Sequence, residues 1–74
     1  MSDENPRSLG ESLPAEMTRV RALVTQYRDP ILGGAGELAA RMMDHALSQA
    51  QKALAEGDVI AMLRAHEELK GFTG

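Results

Sequence analysis

The sequence predicts an all-α protein, a small three-helix bundle with a tight hairpin between its second and third helices. Two observations predict it. Apolar residues recur at the α-helical repeat in three separate stretches, and strong helix-ending and helix-starting residues stand between those stretches. The expected organisation is a disordered polar tail over 1–12 followed by one bundle domain over 13–74.

The tail is expected from its composition. Residues 1–12 hold Pro6, Gly10 and mostly polar side chains, with little to bury. Ser12 and Pro14 read as a helix start, since serine caps the free N–H groups of a first turn and proline needs no donor there. From there each residue advances about 100° around the axis. Leu13, Met17, Val20, Leu23, Val24 and Tyr27 then share one face, giving a first helix over about 13–28. Arg21 and Arg28 flank that stripe, and Arg19 points away from it.

The first helix should stop at Asp29-Pro30, because proline disfavours helical geometry in the residue before it. Ile31 and Leu32 then precede a flexible Gly33-Gly34-Ala35-Gly36 connector. Exposed loops rarely contain such a pair, so Ile31 and Leu32 are expected to pack over the end of the bundle. The second helix is expected from about Gly36 to Glu56, in a stretch rich in Ala, Leu, Met, Glu and Gln. Its apolar residues, from Leu38 to Leu54, cover a wider arc than a simple surface helix shows. Such a helix either touches two neighbours in its own chain or meets a second subunit. Met42, Met43, Leu47 and Leu54 are its candidate interface residues.

Gly57 suits the left-handed residue that ends a helix, and Asp58 suits the cap of the next one. The third helix follows over about Val59 to Lys70. Val59, Met62, Leu63, Ala65, His66 and Leu69 form its apolar face, Gly71 ends it, and Phe72 is placed to fold back as an apolar cap.

Composition narrows the function. A chain of 74 residues is one domain at most. A core of that size supplies roughly 3–5 kcal/mol of net stability. There is no cysteine to add a disulfide, so association with a second copy is the leading supplement. The acidic, polar start and the lack of any long apolar run predict a cytoplasmic protein with no membrane span. The formal net charge is −3. That balance disfavours nucleic acid, whose binders present basic stripes to phosphates. If nucleic acid were the partner, Arg19, Arg21 and Arg28 would be the candidate basic patch. A DNA-binding reading of the Gly57 turn would place Ile60, Ala61, Arg64, Glu67 and Glu68 on the outward face, where the two glutamates repel phosphate.

No residue pattern carries catalysis or a cofactor. His45 and His66 have no ligand-type residue one turn away on the same face, and no HExxH occurs. The glycine-rich connector is not followed by Lys-Ser/Thr, as a phosphate loop requires. The serines lack a nucleophile's setting. No metal, cofactor or small molecule is therefore expected, and no enzymatic activity. His66, in the middle of the third helix's apolar arc, is the candidate pH-sensitive residue, because protonation there would bury a charge and loosen the bundle. The methionines Met17, Met42, Met43 and Met62 sit on apolar arcs as adaptable fillers or forgiving contacts.

Thr18-Arg19-Val20-Arg21, Tyr27, Gly34-Ala35-Gly36, Met42-Met43, the run Gly57 to Ala65 and Glu68-Leu69-Lys70-Gly71 give a further lead. Over Thr18 to Gly71 the chain resembles small uncharacterised helical proteins of bacteriophages and prophages. The resemblance implies a phage accessory role and an aromatic-type core position at His66. It transfers no functional site. The expected function is a non-enzymatic protein–protein interaction module, a homodimer or a binder of another protein, with a nucleic-acid-associated regulator as the alternative.

Overall fold

The computed structural model describes residues 6–73, with the side chains of residues 6–8 outside that description. It is an all-helical bundle of α1 (Pro6–Tyr27), α2 (Gly33–Glu56) and α3 (Val59–Lys70), with a 3-10 turn at Pro30–Leu32. Each helix packs against the other two. Arg19 of α1 reaches Leu69 and Phe72, and Tyr27 reaches Thr73, so numbering rises along both helices and α1 and α3 run parallel. The order is up, down, up.

The first helix corrects the expected start. The part of the predicted tail within residues 1–5 lies outside the described residues, but residues 6–12 are helical. Leu9 extends the stripe one turn below Leu13, and it is only 1% exposed. Ser12 and Pro14 are therefore inside the helix rather than at its start. Burying a leucine is worth about 1.5–3 kcal/mol. That offsets much of the ~3 kcal/mol an internal proline costs, and the helix runs on through Pro14. Ser12 caps nothing, and its Oγ is buried without a hydrogen-bond partner.

The first connection behaves partly as expected. Asp29 accepts from the Ile31 N–H at 3.0 Å and Pro30 occupies the first turn position. Ile31 and Leu32, however, do not pack over the bundle end. Ile31 is 90% exposed and Leu32 is exposed too, because the 3-10 turn points them away. The glycine run is not a loose connector either. Gly33 turns with φ 65° and α2 starts there, three residues early. Gly36 is where the start of α2 lies against the end of α1. A Cβ on it would stand 2.7 Å from the Leu32 Cβ and would collide with the Tyr27 carbonyl.

The second connection is as predicted. Gly57 is left-handed at φ 66°, the Asp58 N–H donates to the Ala53 carbonyl at 3.1 Å, and the Asp58 carboxylate accepts from Ala61 at 3.1 Å. The wide arc of α2 is used within the chain. One part of it meets α1, the other α3, which resolves the two readings of its width in favour of intrachain packing for most of the arc. Phe72 is half-buried against the core, as a cap would be.

Candidate functional site

The surface that remains apolar follows from helical spacing. Leu38 and Met42 are one turn apart on α2, and Gln49 is two turns further along the same side. Leu38 is 60% and Met42 56% exposed. Gln49 lines a shallow groove of roughly 450 Å³ whose other walls come from α3: Asp58, Ile60, Ala61, Arg64, Ala65 and Glu68. Ile60 is 64% exposed at its edge. Ala61 and Ala65 of α3 are among its lining residues. Its charges are mixed, with Asp58 and Glu68 set against Arg64. Such a surface suits the amphipathic face of a helix, with apolar anchors and a few polar contacts. Among the described residues, no three His, Cys, Asp or Glu side chains gather as a metal site would.

The candidate interface of Met42, Met43, Leu47 and Leu54 splits. Met43 and Leu47 are buried in the core and Leu54 is half-buried against it. Only Met42 faces outward. The reason is that α2 has two neighbours, so its arc is consumed from the Met43–Leu47 side. Ile60 was placed outward by the sequence, and it belongs to the site for its apolar side chain.

Of the candidate basic patch, two of the three arginines make contacts within the bundle. Arg19 faces α3 rather than solvent alone. Its guanidinium pairs with Glu16 at 3.1 Å and donates to the carbonyls of Leu69 at 2.8 Å and Phe72 at 2.9 Å. It thereby adds a charged donor to carbonyls at the C-terminal end of α3 from a different helix. Arg28 forms an ion pair with Asp44 of α2. Arg21 is exposed and has no ion pair among the described residues. Tyr27 also acts at this end, its hydroxyl donating to the Thr73 carbonyl at 2.7 Å. Sequence spacing missed the Arg19 and Tyr27 contacts to the end of the chain because they pair side chains with main-chain atoms some fifty residues away. His66 is half-buried, and its Nδ1 is sealed from solvent with no partner.

No helix among the described residues is long and apolar enough to cross a membrane. The fold and this surface define the class: a small up-down-up helical bundle with a shallow groove between two of its helices. No protein-family model matches the chain, and neither a curated protein nor a solved structure is significantly similar to it.

Proposed function

We propose that this protein is a non-enzymatic interaction module, working as a homodimer or on another protein through the outward side of α2 and its groove with α3. The observation that carries this reading is the exposure of Leu38, Met42 and Ile60 in a chain whose core is small. Leu38 and Met42 stand one turn apart on α2. Adjoining exposed apolar side chains mark contact surfaces, and burying them would supplement a core that alone supplies little. A phage or prophage accessory role fits the resemblance of residues 18–71, and a cytoplasmic setting fits a chain without cysteine. The nucleic-acid reading has less support, because Arg19 and Arg28 are engaged in contacts within the bundle.

Sedimentation equilibrium from low micromolar to near-millimolar concentration tests the proposal. The expected result is a reversible dimer that Met42→Lys and Leu38→Lys convert to a folded monomer. A compact wild-type monomer at every concentration overturns the homodimer. If ¹⁵N chemical shifts of the Leu38, Met42 and Ile60 region are then also unmoved by native cell extract, the interaction reading falls with it.

A further inference from the structure

We infer that α3 and the residues after it form a latch that opens as a unit from α1 and α2, hinged at Gly57-Asp58 and fastened by Arg19 and Tyr27. This does not rest on the proposed function. α3 adds three fully buried side chains to the core, Met62, Ala65 and Leu69, with Ala61 and Leu63 partly buried beside them. Among the described residues no side-chain hydrogen bond or ion pair joins α3 to α2. Docking also seals the His66 Nδ1 without a partner, which costs free energy that undocking recovers.

What holds α3 by polar contact lies at one end. Arg19 donates to the Leu69 and Phe72 carbonyls, and Tyr27 to the Thr73 carbonyl. At its other end α3 is joined to α2 only through the turn, where left-handed Gly57 provides a pivot. A helix of 12 residues is too short to persist alone in water. Undocked, it unwinds and its amides meet solvent, while α1 and α2 remain packed on each other. Opening of this kind is a sub-global unit within the native state.

Native-state hydrogen exchange on the full chain tests the latch, read at amides of Leu63 to Lys70 against those of Val20 to Val24 and Met43 to Leu47. In the wild type the α3 amides should exchange at least about tenfold faster than the α1 and α2 core amides, through an opening that leaves the latter protected. Arg19→Ala removes two charge-assisted bonds and should speed α3 exchange by about tenfold more, with core amides changing by less than about threefold. Tyr27→Phe, a milder change that keeps the ring, should speed only the α3 amides, by about two- to fivefold. Equal protection in all three helices of the wild type, or equal acceleration of all three in both variants, overturns the latch and makes the bundle a single cooperative unit.

Discussion

The α1 side of the core and the α2–α3 seam exclude water by different means. α1 contributes Leu9, Leu13, Met17, Val20, Leu23 and Val24, every one a large side chain. The buried residues of α2 and α3 are richer in alanine, with Ala40, Ala46, Ala50, Ala53 and Ala65 beside Met43, Leu47, Met62 and Leu69. Large side chains bring area, and each buried leucine is worth about 1.5–3 kcal/mol. Alanines bring little area. They let two helix backbones approach closely, so their seam depends on the absence of bulk. The first region is therefore sensitive to deletion and the second to addition.

Three substitutions bear on that contrast. The largest effect is expected for Leu13→Ala, which removes a fully buried side chain from the α1 stripe. It should destabilise by about 2–5 kcal/mol, enough to unfold much of the chain, as urea-induced loss of helical circular dichroism would report. A cost under about 1 kcal/mol would mean that α1 is not the heavier half of the core. Next is Ala50→Leu, which enlarges a fully buried alanine of α2. Overpacking there should cost about 1–3 kcal/mol, whereas the same enlargement at exposed Ala55 should change the midpoint very little. If Ala50→Leu stabilises, the seam has slack and the contrast is broken. The smallest is Asp58→Ala, which removes the α3 cap bond at 3.1 Å. A loss of about 1 kcal/mol is expected, and Asp58→Asn should recover most of it. A null result would show that packing alone positions the start of α3.

How much of this was legible beforehand depended on the range of the interaction. The Gly57-Asp58 turn was readable because its signals act within one turn of the helix: a left-handed residue, then a carboxylate three residues before the N–H it accepts from. The stripes of α1 and α3 were readable for the same reason, except that Val59, expected on the apolar face of α3, is exposed at its first turn. The start of α1 was not, because Ser12 and Pro14 carry a local start signal, yet the helix runs through both. Of the candidate site, Met42 was found and Met43, Leu47 and Leu54 were drawn in with it. Periodicity places a residue on an arc but does not say which part of a wide arc a neighbour will cover.

The sequence by itself determined the helices, their number, the hairpin turn and most of the core, since 3.6-residue periodicity and capping are properties of neighbours in the chain. Only the tertiary structure decided where α2 faces outward and what Arg19 does. A guanidinium donating to a carbonyl at the end of a helix fifty residues away, and a methionine left uncovered while its neighbour is buried, follow from how three helices close on one another. That closure depends on the relative placement of whole helices, which no local spacing encodes.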